Sequence, residues 1–583
     1  MKKIILLLFT VSFLLLFFTQ CSESKKDASV KTKADYLFIN GKIYTVNKKQ
    51  VWAEAVAVNG KEIVFVGNNK DAGKYEDKQT KVIDLNGKML LPGFIDTHAH
   101  PVMAAAYYGS LILDPEDSID NWISQTKNYV AENPDKPYYV GFGFLAAIFG
   151  PDGPKKELLD AVSTEKPIIL LDEGWHSAWV NSKAFEITGI DKHTPDPIPN
   201  IHFYKRDVKG NPTGWCVENN SFAPIIKKLG VVSTDNIIAK SPELFDLFSS
   251  VGITSFYDAG MTGFENDGYT AIQKLEKQNK LPFRIVGSYG IQSKTQLKEA
   301  VNNLKKLKVN FTSELVHPQV MKIHNDGTVE AFTAYLFEDY KDQPGNKGAI
   351  LLEGDLLKDF VTEVDKAGFD IHIHAIGDKA INEALNAFEA AKTANPNSKN
   401  RYTIAHNQMI IDADLPRFGE LGVICQSTPY WFSYLYEGVE GSKITTEPTG
   451  ERANDYNRFR SVQKGGGILT FGSDYPATGS VEGMYPLVNI EIGITRKPMN
   501  FKDAPVTPPA NEILSLETMI KGYTIDAAYQ LKLEKEIGSI EVGKKADNVI
   551  LDKNLFDQKV YNIHKNKVIM TMMNGNITFD SSK

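Results

Sequence analysis

Cysteine is nearly absent from this sequence: 583 residues contain three, Cys21, Cys216 and Cys425. That number excludes a disulfide framework and a cysteine-based zinc cluster, so any metal must be held by nitrogen and oxygen. Cys216 and Cys425 have no nucleophile signature beside them and are expected to be buried and inert. A strong charge of either sign is also missing. Net charge is −7 with the lysines and arginines scattered, which argues against a nucleic-acid surface. The one long apolar run, Ile4–Phe18, falls short of the ~20 residues that a membrane span needs.

What is present describes an ordinary globular protein, with 42% hydrophobic and 23% charged residues and a length that calls for more than one structural unit. At the N-terminus, Lys2 and Lys3 precede the apolar run, and Thr19-Gln20-Cys21 follows it. This pattern suits a signal-peptide core over residues 1–20. It resembles a bacterial lipoprotein signal, although Phe18-Thr19-Gln20 departs from the small residues usual before the cysteine. The resemblance implies cleavage before Cys21, lipidation of its thiol, a tethered linker over 21–33, and a body anchored to the membrane in the cell envelope, outside the cytoplasm. An uncleaved anchor helix is the alternative.

Residues 34–91 read as strands and tight turns, with Asn40-Gly41, Asn59-Gly60 and Asn86-Gly87 between apolar runs. Asn-Gly supplies the positive φ angles of two-residue hairpins. The same grammar returns at Asn574-Gly575, so residues 34–91 and 531–583 are expected to form one composite β-sandwich. Between them, eight candidate strands alternate with helical patterns: Phe94–His98, Gly252–Asp258, Phe283–Ser288, Gln319–His324, Phe369–His374, Tyr402–His406, Gly422–Gln426 and Gly467–Phe471. The stripe Ile381, Ala384, Leu385, Phe388 and Ala391 exemplifies the helices. The fold class is α/β, a (β/α)8 TIM barrel over 92–103 and 241–530. The gap after strand one is too long for a single crossover and predicts an inserted subdomain, 104–240, over the barrel mouth.

The chemistry sits at the strand ends. His98 and His100, two residues apart on a strand, point the same way. Strand four carries Lys322, strand five ends at His374, strand six at His406, and strand eight leads into Gly472-Ser473-Asp474. A barrel brings such ends to one mouth. Four imidazoles and a carboxylate suit zinc or a similar borderline metal, with enough ligands for two divalent ions.

Leu90–His100, His374-Ala375-Ile376-Gly377-Asp378, the strand ending at His406, Gly472-Ser473-Asp474, Met321–Gly327 and Gly538–Asp547 together closely resemble the metal-dependent amidohydrolase superfamily. The nearest branch is similar to the YtcJ-like group that includes N-substituted formamide deformylases. The resemblance implies that His98, His100 and Asp474 hold the more buried ion and that His374 and His406 hold the more exposed one. It also implies that Lys322 bridges the two after carboxylation by CO2. An unmodified lysine in a one-metal site is the alternative.

His372 faces the interior more deeply and is expected in the core or behind a ligand. His324 stands where relatives are expected to carry an aromatic residue, and it either touches substrate or packs. His176, in Gly174–Ser182, either polarises the scissile carbonyl or fixes the local fold. Glu218, in Gly214–Glu218, is expected behind the site or facing substrate, without a catalytic role. Trp431, with Tyr430, Phe432, Tyr434 and Tyr436, either lines the mouth for an apolar group or packs a loop. His193, His202, His317 and His564 are expected on the surface or in loops.

The expected function is hydrolysis of a C–N bond, amide or N-formyl, in a small molecule by a metal-activated hydroxide, with Asp474 as general base and then acid. Deamination, ester hydrolysis or isomerisation at the same site is an alternative, because fold and ligands do not fix the reaction. A non-enzymatic ligand-binding lipoprotein is another. A carbohydrate-active barrel would need acids at strands four and seven, where Lys322 and Gln426 stand. The sequence leaves a homodimer open.

Overall fold

The computed structural model describes residues 33–115, 117–261, 263–433, 446–478 and 480–583. The expected leader, the linker up to residue 32, Cys21, Tyr434 and Tyr436 lie outside them. Among the described residues no helix is long and apolar enough to cross a membrane.

Eight strands make one sheet in which spatial order follows chain order. They are β1 (Phe94–Ala99), β2 (Ile253–Asp258), β3 (Arg284–Ile291), β4 (Val316–His324), β5 (Asp370–Ala375), β6 (Tyr402–His406), β7 (Ile424–Ser427) and β8 (Ile468–Phe471). Each is parallel to the next, so the sheet is the expected (β/α)8 barrel. In β5 the alternation Ile371-His372-Ile373-His374 shows how one strand serves two environments. Its isoleucines join the hydrophobic core, and its histidines take the opposite face, as a period of two requires. The predicted helical stripe lies on Asp378–Ala394, with Ile381, Ala384, Leu385, Phe388 and Ala391 all fully buried. The Phe388 ring stacks on Tyr402 of β6, 4.9 Å between centroids.

Just past β8 the chain is tied back to β1. Ser473 donates its backbone N–H (3.1 Å) and its hydroxyl (2.6 Å) to the Asp96 carboxylate, and the Asp474 N–H donates to the His98 carbonyl at 2.6 Å. Gly472 allows this approach, since a Cβ there would lie 2.4 Å from the His98 nitrogen.

The inserted region carries its own six-stranded sheet, with Leu111–Ile112 and Phe203–Arg206 at the edges. Trp122, Phe144, Leu170 and Trp179 form a separate core there. The helix Thr234–Ser250 runs through the expected boundary at 240 and packs Phe248 on Phe256 of β2, 4.8 Å between rings.

The two ends of the chain meet in a second six-stranded sheet, where Asn548–Leu551 lies between Met89–Pro92 and Val568–Met573. Leu90 and Ile550 of this sheet pack with Phe38 and Val58 of a four-stranded sheet. The Asn-Gly turns do two different jobs. Asn59-Gly60 and Asn574-Gly575 close antiparallel hairpins. Asn40-Gly41 and Asn86-Gly87 carry the chain from one sheet to the other, so the hairpin expectation fails for them. A turn fixes the backbone reversal but not the sheet that the next strand joins.

Arg284 of β3 forms a buried ion pair with Asp547 and donates to the Asn574 side chain at 3.0 Å, which pins the C-terminal return to the barrel. Removing one partner strands the other charge without water. Arg284→Met should therefore cost ~3–5 kcal/mol, and a urea midpoint unchanged from the parent would refute the assignment.

Candidate metal centre

The barrel mouth holds a cavity of about 110 Å³ lined by His98, His100, Lys322, His374, His406 and Asp474, with His176 and His324 also on its wall. All six expected ligands thus converge. Asp474 is the hub: its Oδ1 lies 3.3 Å from His100 Nε2 and 3.5 Å from His98 Nε2, and its Oδ2 lies 3.7 Å from His406 Nδ1. Lys322 Nζ stands 3.4 Å from His98 Nε2. Strand register explains the neighbours. Lys322 pairs with His372 and, one layer closer to the mouth, His324 pairs with His374.

The imidazoles are oriented from behind. Nδ1 of His100 donates to the Gly260 carbonyl at 2.8 Å, which leaves the Nε2 lone pair facing the cavity. His98 Nδ1 is 3.1 Å from Gln426 Oε1 and 3.1 Å from His372 Nε2, with Tyr257 stacked on His372. His374 Nε2 lies 3.4 Å from the Gly327 carbonyl and 3.6 Å from Asp326, whose carboxylate accepts backbone N–H groups of Tyr335, Ile376 and Gly377. Gln426 and Asp326 were not assigned these roles from the sequence. Asp326 lies within the Met321–Gly327 motif, so its signal was present. Gln426 became meaningful only once β7 lay beside β6 and β8.

Burial, reinforced by the neighbouring cationic groups, holds His98, His374 and His406 well below the usual imidazole pKa. These rings are neutral near pH 7, which is the ligating form. Burial likewise lowers Lys322 to about 7, against the opposing pull of Asp474. For His100 burial works against the charged form, but the hydrogen bond and charge of Asp474, with Asp258 and the Gly260 carbonyl, together outweigh it and the pKa rises. The donor set of neutral imidazoles and one carboxylate, with buried His406 Nδ1 lacking a hydrogen-bond partner among the described residues, fits a divalent transition metal.

The backbone carries strain here. His406 (φ 73°), Asp474 (φ 53°), Trp175 (φ 62°) and Glu218 (φ 61°) all have left-handed φ values. Such conformations cost ~1–3 kcal/mol each and persist where the surroundings enforce them. For Asp474 the enforcing contacts are the N–H to His98 and the Ala477 N–H donated to its carbonyl at 2.7 Å.

From the inserted subdomain, His176 reaches the mouth through the turn before Ser177–Val180. Its Nδ1 donates to Glu218 at 2.9 Å, and the Glu218 backbone N–H donates to the His176 carbonyl at 2.6 Å. Thr333, from the loop after β4, donates to the same carboxylate at 3.3 Å. Burial opposes the charge on His176, yet Glu218, aided by the charges of Asp172 and Asp474, outweighs it and the pKa rises to about 9. Glu218 therefore sits behind His176.

Other expectations divide. His372 is buried against His98, as anticipated. The Trp431 ring lies 5.9 Å from His406 but is not among the residues lining the cavity, and Phe432 is buried on Phe459, a packing role. His193 is exposed. His202 is not a surface residue: it is buried and accepts from the Asn220 N–H at 3.1 Å. His564 is bound to buried Glu491 at 2.7 Å. Cys216 and Cys425 are buried, and burial raises both thiol pKa values.

A (β/α)8 barrel with buried histidines, a lysine and an aspartate at its mouth defines a class, the metal-dependent hydrolases of the amidohydrolase kind. The chain belongs to the Amidohydrolase family, whose profile matches residues 81–579. It is 33% identical over 414 residues, 70% of this chain and 87% of the relative, to the exoenzymes regulatory protein AepA of Pectobacterium carotovorum subsp. carotovorum. It is 24% identical over 558 residues to the N-substituted formamide deformylase of Arthrobacter pascens, covering 94% and 98% of the two chains. The branch expected from the motifs is therefore the right one. An uncharacterised metal-dependent hydrolase from Pyrococcus horikoshii OT3 shares the fold, with TM-score 0.69, 23% identity, and coverage of 90% and 99%.

Gln426 is expected to matter through His98. Replacing it with leucine removes the acceptor that fixes the His98 tautomer and should weaken metal affinity by about 10–100-fold. Competition against a chromophoric chelator reads this, and an unaltered Kd would sink it.

Proposed function

We propose that this protein hydrolyses a C–N bond of the amide or N-formyl type in a small molecule. The observation that carries the reading is the convergence of His98, His100, Lys322, His374, His406 and Asp474 on one cavity. These six would hold two divalent ions, most simply zinc, with Lys322 carboxylated as a bridging ligand. When bound, the ions supply Lewis acidity that lowers the pKa of water and polarises a carbonyl. A buried ammonium among metal ligands is electrostatically unfavourable, whereas a carbamate would add two anionic donors. Lys322 has no carboxylate within ion-pair distance among the described residues, and its Nζ lies 3.4 Å from His98 Nε2.

The chain's own groups do the rest. Asp474 accepts the proton of the attacking water and later delivers it to the departing nitrogen, a role suited to the one carboxylate that faces three imidazoles. His176, the catalytic group from the inserted subdomain, bears on the carbonyl oxygen from its place on the same cavity wall. His324, on the cavity wall, contacts the remainder of the substrate, while Trp431 lies behind His406 and outside that wall. The wall that receives this remainder includes Met103, Trp175, Phe222 and Ile226 and is largely apolar. The deformylase relative supports the choice of bond.

The leader supports a second proposal, a lipid anchor at Cys21 that holds the protein in the bacterial cell envelope. Cys21→Ser should abolish incorporation of labelled palmitate in the expressing cell, and undiminished labelling would exclude the anchor.

Asp474→Asn tests the chemistry. Turnover of N-formyl and N-acyl amines should fall by about 10²–10⁴-fold, the usual contribution of a general base, with part of the metal retained. Activity near the parent level would remove Asp474 from the role. A parent that cleaves esters, or deaminates, but leaves every amide intact would move the reaction to another class at the same site.

A further inference from the structure

Among the described residues, two groups of three side chains bring ligand atoms within 4.8 Å of one another: His98, His406 and Asp474, and separately His176, His324 and His374. The first group lies within the expected ligand set. The second contains two histidines that no ligand motif supplied. His324 and His374 stand side by side in the register of β4 and β5, with ring centroids 4.4 Å apart. His176 descends onto them from the inserted subdomain, 5.1 Å from the His324 ring and 5.6 Å from that of His374.

Three imidazoles packed this closely need a reason, because no hydrogen bond joins them among the described residues. His324 Nε2 is buried without any partner there. His176 has the arrangement that prepares a histidine for metal: its Nδ1–H is held by the buried Glu218 carboxylate at 2.9 Å, so Nε2 is the nitrogen left to bind. The Glu218–His176 link is doubled by the backbone bond between the same residues at 2.6 Å and braced by Thr333. The donors are all imidazole nitrogens at the wall of a cavity, which suits a zinc-like ion with one position open to substrate.

We propose that His176, His324 and His374 hold a divalent transition-metal ion, so that the mouth-side ion is ligated by the inserted subdomain as well as by the barrel. The proposal rests on the metal-dependent reading above and changes two roles in it, His176 from a hydrogen-bond donor and His324 from a substrate contact, to metal ligands. On binding, His176 Nε2 would release to solvent the proton it carries when charged, while the Nδ1–H stays with Glu218. These three ligands would then join the subdomain to β4 and β5 through one ion.

The test uses the full chain, stripped with a chelator and titrated with Zn(II), with bound zinc read by elemental mass spectrometry and thermal melting as the folding control. The parent should bind about two ions, and His176→Ala and His324→Ala should each lose one. His98→Ala should lose the other. Glu218→Gln should keep both ions while weakening one by about 10–100-fold. Unchanged stoichiometry and Kd in the His176 and His324 variants would overturn the proposal. A parent that binds one ion, lost in His98→Ala and kept in His176→Ala, would overturn it while leaving a metal-dependent enzyme. A parent that binds no zinc would end both readings. Should the alanine variants fail to fold, Glu218→Gln decides alone, and parental affinity for both ions is the overturning result.

Discussion

The position of Asp474 is the constraint on which the rest of this structure depends. Its carboxylate faces His98, His100 and His406 in a cavity that buries nearly all of them. In such a place nitrogen bases cannot all be charged, and burial drives most of the imidazoles neutral. The same residue also closes the barrel, since its N–H is bonded to the carbonyl of His98. Barrel closure and the donor set thus share one residue, and the contacts on both sides of it hold the left-handed backbone at this aspartate.

The layers around that hub have distinct duties. Gln426, His372, Gly260 and Asp326 stand behind the ligands and fix which nitrogen each presents. The inserted subdomain has its own tryptophan-containing core and supplies much of the apolar wall of the mouth, Trp175, Phe222 and Ile226 among it, with His176 held by Glu218. The terminal sheets lie away from the chemistry. Their contribution is mechanical, through the buried pair between Arg284 and Asp547 that joins the C-terminal return to β3.

Much of the barrel was legible because its strands announce themselves. The Ile-His-Ile-His alternation of β5 and the paired histidines of β1 carry both the strand period and the chemistry in the same few residues. The hairpin signals were less reliable. Asn40-Gly41 and Asn86-Gly87 have the right local conformation but lead into a different sheet. His202 and His564 looked peripheral because their partners, the Asn220 backbone and Glu491, come from elsewhere in the fold. Trp431 approached His406, as an aromatic after β7 should, without entering the cavity wall.

By itself the sequence determined the fold class, the family and the six converging ligand candidates. Each of those follows from local spacing along a strand or from a short motif at its end. Tertiary structure alone decided which histidines share a neighbourhood, which nitrogen each one offers, and that Glu218 serves His176. These depend on distances between residues far apart in the chain, which alternation and motif spacing do not encode. They are set only when β4, β5 and the inserted subdomain are packed against one another.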